Sequence, residues 1–379
     1  MKKILFPFLF FLIITLLLVH SPVFFSFFKE MQTDPGDTRF NNYILEHIHQ
    51  YLSGNLKSFS SPQFYYPHKN NLYFSDPWIF FYPFYGIFRF FGFEYDTSFQ
   101  LFMILSTILN FCLSFYLFHI IDEKKPFFNG FGSTFFSASN IRVCQVGHQQ
   151  LIPNFYIILC FIFLFLIYKN YKENPKKTKL YILFFSFSSA FQALSAFYNF
   201  FSFLLYTFLI LIFLFILKGK EFVLFFKKYL ITILFAFLIF GILTMPYIKK
   251  TKKVMEEVGK RSWKEVSTML PQYKSYLYLG KENLIYGKLN SSKFFEDIPV
   301  KNEHRLSFGY LTFIIFLISL ISLRKNFLIF LNFLAFFSLI ILTFYIPFDF
   351  SFWKIVYEFL PGASALRAVT RCNLILLFP

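Results

Sequence analysis

Nine apolar runs recur along this chain, and they leave few alternatives to a membrane-embedded bundle of helices. They occupy residues 4–28, 99–121, 128–146, 152–168, 180–197, 200–217, 229–247, 306–323 and 327–346. A hydrocarbon core takes about 20 helical residues, and inside it every backbone amide must be satisfied within its own segment. Each run therefore reads as a helix, and the expected fold is an all-α, multi-pass integral membrane protein with about nine or ten transmembrane helices. The run 128–146 is the weakest, interrupted by Asn129, Ser133, Ser137, Asn140 and Arg142. A single domain is expected over residues 1–379, with helices 2–7 within 99–247 and helices 8–9 within 306–346. The end, Leu374 to Pro379, reads as the start of a further helix cut short, in a fragment or a truncated gene product.

Charge orients the bundle. The formal net charge of +17 would suggest nucleic acid in a soluble protein. Here Lys and Arg flank apolar runs, where they act as topological signals, so nucleic acid is not an expected partner. With the N-terminus in the cytoplasm, the inner loops are 122–127, 168–179, 218–228 and 324–326. Together with Lys2 and Lys3 they hold fifteen Lys or Arg against four acids, while the short outer turns 147–151 and 198–199 hold none. Three large segments then fall outside: 29–98, 248–305 and 347–372. The second opens with Lys249, Lys250, Lys252 and Lys253, but a loop of that length lies at the limit of the charge rule. Trp78–Phe93 is aromatic yet broken by Pro83, Gly86 and Arg89, and is expected to lie in the outer interface as a short helix or a re-entrant dip. The first run is about twice a signal-peptide core and lacks a small-residue cleavage site, so it reads as an uncleaved helix. The 66 Phe residues reflect a base-composition bias more than a function. Cys112, Cys144, Cys160 and Cys372 show no paired spacing and read as small buried hydrophobes.

The polar residues that stand out cluster near the outer ends. An acidic turn, Asp34-Pro-Gly-Asp37-Thr-Arg39, follows the first helix. Asp37 suits a general base, since partial desolvation at an interface raises a carboxyl toward neutrality; it also suits the N-cap of a helix at 38–52. Asp34 is a second catalytic candidate, with turn chemistry as its competing role. His148, with Gln149 and Gln150, ends the weak run, as a ligand or as a polar cap at the headgroups. His47 and His49 are expected to be solvated on a surface helix, and His119 carries no expected role.

The string Pro35-Gly-Asp37-Thr-Arg39-Phe40-Asn-Asn-Tyr43-Ile-Leu-Glu46 resembles the first-loop signature of the GT-C superfamily, polytopic glycosyltransferases that use lipid-phosphate-linked sugars. Later strings are similar to a poorly characterised bacterial branch of it. They are Tyr66-Pro-His68 before Asp76, Ser139-Asn-Ile-Arg142 before Gly147-His148-Gln149-Gln150, and Gln192-Ala-Leu-Ser195-Ala-Phe-Tyr198. Arg261-Ser-Trp263, Asn283-Leu-Ile-Tyr-Gly287, Glu303-His304-Arg305 and Leu360-Pro-Gly362 before Leu366-Arg367 complete the order. The departure is at the C-terminus, where such enzymes continue into more helices or a soluble domain.

The resemblance implies transfer of a sugar from a polyprenyl-phosphate donor to a glycan, lipid or protein of the cell envelope, on the outer face of a bacterial inner membrane. It implies Asp37 as base and a divalent metal, Mg²⁺ or Mn²⁺, held by Asp37 and His148, with His68 and Asp76 nearby in sequence. Arg367 and Arg371, four apart and so on one helix face, are candidates for the lipid phosphate, or else snorkel to headgroups. Arg305 and Arg142 are further phosphate candidates, the latter because a buried Arg needs an acid or phosphate partner. Gln192, Tyr198 and Asn199 are candidates to line a sugar pocket, with helix–helix hydrogen bonding the competing role of Gln192. The alternatives are a transporter or flippase of lipid-linked saccharides, whose expected internal repeats are not found, and an inactive truncated homologue.

Overall fold

The computed structural model describes residues 2–31, 36–145, 147–323, 326–346 and 350–377. It is all-α: among the described residues there is no β-strand, only an isolated bridge between Ile346 and Phe350. Among the described residues, four helical segments are long and apolar enough to cross a membrane: Lys3–Phe25, Tyr95–Ile121, Gln149–Asn170 and Phe197–Val258. The chain divides into two compact units, residues 1–200 with 225–258 and residues 201–224 with 259–379.

The first unit holds α1 (Lys2–Phe25), α2 (Asp37–Leu52), α3 (Tyr82–Phe90), α4 (Tyr95–Ile121), α5 (Pro126–Ala138), α6 (Asn140–Val143), α7 (Phe155–Asn170) and α8 (Pro175–Ala193). The expected run 128–146 is thus realised as α5, a one-turn α6 and a following turn. Pro126 and Pro175 sit in first turns, where a missing N–H costs nothing, and the Asn174 side chain caps α8 at Lys177 N (3.1 Å). α5 lies against α1 and α4, and α7 against α8. The α1–α5 approach depends on Gly130: a Cβ there would stand 2.4 Å from Cδ2 of Phe11. Small residues allow this closeness between apolar helices. Thr15 and Thr134 hydroxyls pair across the same contact at 2.9 Å.

α9 (Phe197–Val258) contributes to both units. At 62 residues it is about three bilayer thicknesses long, and it is interrupted at Lys218, whose φ/ψ of −133°/31° are non-helical. The two runs expected at 200–217 and 229–247 lie on either side of that break. The second unit further holds α10 (Trp263–Ser267), α11 (Gly287–Asn290), α12 (Tyr310–Leu323), α13 (Phe327–Thr343) and α14 (Trp353–Phe359). Asn326 caps α13 at Leu328 N (3.0 Å), and the Tyr206 hydroxyl donates to the Asn332 carbonyl (3.3 Å). Residues Val369–Leu377 form a 3-10 segment in place of the start of an α-helix expected there.

Candidate functional site

α2 is the element that organises the first unit. Its sequence places Thr38, Asn41, Asn42, Leu45 and Ile48 at three- and four-residue steps, so they share one face, and all of them are buried. Ile44, Leu45 and Ile48 enter a core with Trp78, Phe81, Tyr85, Phe102 and Phe155. The polar members of that face form a row of ties. Asn41 donates to the side-chain oxygens of Gln149 (2.8 Å) and Gln150 (3.3 Å), and Gln149 donates to the Thr38 hydroxyl. Asn42 donates to Asp96 at the start of α4 (2.8 Å).

Further along α2, Glu46 accepts from Tyr85 (2.6 Å) and pairs with Arg89 at 2.9 Å, clamping α3 onto α2. Burial alone would raise the Glu46 carboxyl. Hydrogen bonds from Tyr85, Gln50 and Arg89, with the Arg89 charge, bring it below its ordinary value instead. The opposite consequence falls on Tyr85, whose hydroxyl is pushed up by burial and by its bond to the Glu46 carboxylate.

These ties fix what stands at the N-terminal end of α2. Asp37 is its first residue, with Gly36 as the N-cap and no side-chain capping bond. The expected role of Asp37 as N-cap is therefore not the one the fold uses. Its Oδ2 lies 2.6 Å from Nδ1 of His148, with side chains about half and a quarter exposed. Asp34, the companion candidate, lies outside the described residues.

The turn carrying His148 is itself held from beneath. Arg142 is 1% exposed; its Nε donates to Phe136 O (2.9 Å) and its Nη1 to Ile152 O (3.3 Å), and the guanidinium lies 4.4 Å from the Phe136 ring centre. The buried arginine thus finds carbonyls and a ring where sequence reasoning looked for an acid or a phosphate. At the start of α9, Asn199 donates to Leu151 O (3.2 Å), so it reaches the same turn, and the half-buried Tyr198 stands beside it. Gln192 is fully buried, its amide 3.4 Å from Ala196 O within the same local turn.

Other candidates fall elsewhere. His68 is exposed, and Asp76 accepts from Phe197 N at the beginning of α9. Among the described residues no three or more of His, Cys, Asp and Glu gather as a metal-ligating group. The Asp37–His148 pair by itself is an incomplete donor set for Mg²⁺ or Mn²⁺. His47, expected on the surface, is buried and bonds to Phe59 O (3.0 Å); His49 bonds to the Tyr82 hydroxyl (3.2 Å). None of the four cysteines forms a disulfide, and Cys160 and Cys372 are buried.

In the second unit Arg367 and Arg371 do not share an α-helical face, because Arg367 precedes the 3-10 segment. Arg367 lies 3.9 Å from Glu265, Arg371 pairs with Glu303, and Arg305 bonds to Glu282 (2.8 Å) and Asn302 (2.9 Å). Each of these arginines therefore already has a carboxylate.

Sequence reasoning gave no site role to Thr38 and Asn41, which with Gln149 hold the pair, or to Arg39, exposed one position beyond Thr38. Polar residues at helical spacing opposite an exposed acid were the available signal. Compared with protein-family models, curated proteins and solved structures, the chain matches none.

Proposed function

We propose that this protein is a multi-pass membrane glycosyltransferase of the GT-C type. It moves a sugar from a polyprenyl-phosphate donor to an envelope acceptor on the outer face of a bacterial inner membrane. The observation that carries the reading is the 2.6 Å contact between Asp37 and His148. Two residues 111 positions apart, both candidates in the sequence, meet at the exposed end of a helix tied along its length to Gln149, Asp96 and Arg89.

In this reading Asp37 takes the proton of the acceptor hydroxyl as that oxygen bonds to the anomeric carbon. The bond from that carbon to the phosphate oxygen breaks, and the polyprenyl phosphate leaves with the electron pair. His148, donating from Nδ1, orients the carboxylate, and the proton leaves Asp37 for water once the transfer is complete. Arg39, on the same exposed turn, is the cation for the phosphate, a role its fork of donors suits. A divalent metal would supply charge to the phosphate, and no step here is assigned to one.

The test is mass spectrometry of envelope glycans from a strain lacking the protein, complemented with variants. Wild type restores the missing sugar. Asp37→Asn is expected to express normally and to turn over about a hundredfold or more slowly, the usual contribution of positioned proton transfer. Full restoration by Asp37→Asn would remove the base from the mechanism. A purified enzyme that loses its rate on chelation and regains it with Mg²⁺ or Mn²⁺ would bring a metal into the site.

A further inference from the structure

The second unit carries an apolar loop tip that its own fold leaves uncovered. Leu284 is 102% exposed, Ile285 80% and Leu289 59%. These side chains do not belong to a floppy excursion. The Asn283 side chain accepts from Ile285 N (3.1 Å) and Tyr286 N (2.9 Å), and Gly287 N returns to Asn283 O (2.8 Å). The loop closes so tightly that a Cβ on Gly287 would stand 2.3 Å from Lys281 O, a backbone atom that cannot swing aside. The buried Asn290 anchors the loop from below, accepting from Leu279 N (2.7 Å) and donating to Tyr286 O (2.9 Å). The tip is thus built to hold two large aliphatic side chains outward.

Its neighbour indicates the medium it meets. Tyr286 packs edge-on against Tyr310, with ring centres 4.8 Å apart, and Asn290 reaches the Tyr310 hydroxyl at 3.3 Å. Tyr310 is the first residue of α12, on which Leu311, Phe313, Ile314, Ile315, Leu317 and Ile318 are all exposed. So continuous an apolar surface on a helix of membrane composition fits an apolar medium. The tip lies beside the first turn of that helix, where a bilayer would have its headgroup boundary and where Tyr is favoured. The charges agree. Glu282 is neutralised by Arg305 at 2.8 Å, which leaves the exposed Lys281 and Lys288 flanking the apolar pair. Basic residues around an inserted aliphatic tip match anionic headgroups.

We propose that residues 281–289 form a lipid-inserting tip, with Leu284 and Ile285 entering the acyl boundary and Lys281 and Lys288 meeting anionic headgroups. The inference rests on the membrane reading of α12 given above, and a control separates the two. Cys112 and Cys144 are replaced by Ser, and single cysteines are placed at Leu284, at Glu296 (exposed in the same unit) and at Ile314 in α12. Each is labelled with an environment-sensitive fluorophore in vesicles of mixed anionic and zwitterionic phospholipid.

The label at 284 is expected to shift to the blue and to be quenched by a shallow lipid-borne nitroxide, while the label at 296 is quenched by aqueous iodide alone. Lys281→Glu with Lys288→Glu should weaken the lipid quenching at 284 in anionic vesicles and leave it unchanged in purely zwitterionic ones. If 284 behaves like 296, the tip lies in water and the proposal falls. If 284 is shielded from both quenchers, a protein surface such as a second copy covers it, and the proposal falls equally. If the label at 314 also escapes lipid quenchers, the membrane reading of α12 fails first.

Discussion

Replacing Glu303 with Gln tests what the second unit uses Arg371 for. Arg371 meets Glu303 side-on, Nε to Oε2 at 3.0 Å and Nη2 to Oε1 at 2.5 Å, with the two side chains 6% and 9% exposed. Around them Thr370 N donates to Met269 O (3.1 Å) and the Tyr276 hydroxyl to Asn373 (2.9 Å). The 3-10 segment Val369–Leu377 is thereby stitched to residues 269–276 and 303. Glu303→Gln keeps the shape and one acceptor but strands a buried guanidinium. Breaking a buried pair from one side costs about 3–5 kcal/mol, and the remaining amide acceptor places this case near the lower end, about 3 kcal/mol.

At about 2–4 °C per kcal/mol for a body of this size, the melting point should fall by about 6–12 °C. The assay is thermal unfolding in detergent followed by tryptophan fluorescence, since Trp263 and Trp353 both lie in this unit. The double variant Glu303→Gln with Arg371→Met removes both charges and should recover most of the loss, because a buried pair replaced as a whole is often neutral. If Glu303→Gln melts with wild type while its glycan product disappears, the pair is not a structural clamp. Arg371 would then return as a phosphate ligand.

Three further outcomes follow from the geometry. Gly130→Ala should destabilise by about 1–3 kcal/mol through overpacking against Phe11 and cost much less in a Phe11→Ala background, and unchanged melting of the single variant would show that α1 and α5 are not in close contact. Burial holds the His304 imidazole below its ordinary value of 6.5, with the Thr268 carbonyl and the Glu303 charge acting in the opposite sense. The unfolded chain then binds a proton that the folded one refuses, so stability is full above pH 6.5 and declines as pH falls below it. His304→Asn should flatten that decline in melting curves, and an unaltered slope would place its origin elsewhere. Finally, Ser291→Cys should be labelled by an impermeant thiol reagent in intact cells and Lys176→Cys only after permeabilisation; the reverse pattern overturns the topology.

What composition and periodicity determined was the all-α class and where the apolar helices lie, because burial of apolar surface and internal pairing of the backbone are decided segment by segment. Asp37 and His148 were also legible, as polar residues standing where apolar sequence stops. Their meeting entered only through the family resemblance, as the shared metal it implies. It depends on Asn41 and Thr38 meeting Gln149 across 108 and 111 residues of chain, and nothing local records that pairing. The same limit explains the misreadings. Spacing of four suggested one face for Arg367 and Arg371, but tertiary bonds to Glu265 and Glu303 draw them apart in a chain that is not α-helical there. His47 was read as solvated because its helix was expected at the surface, yet that helix is enclosed and His47 is buried against Phe59 O. A side chain's type is fixed by the gene, but its partner is chosen by packing, and packing is a property of the whole unit.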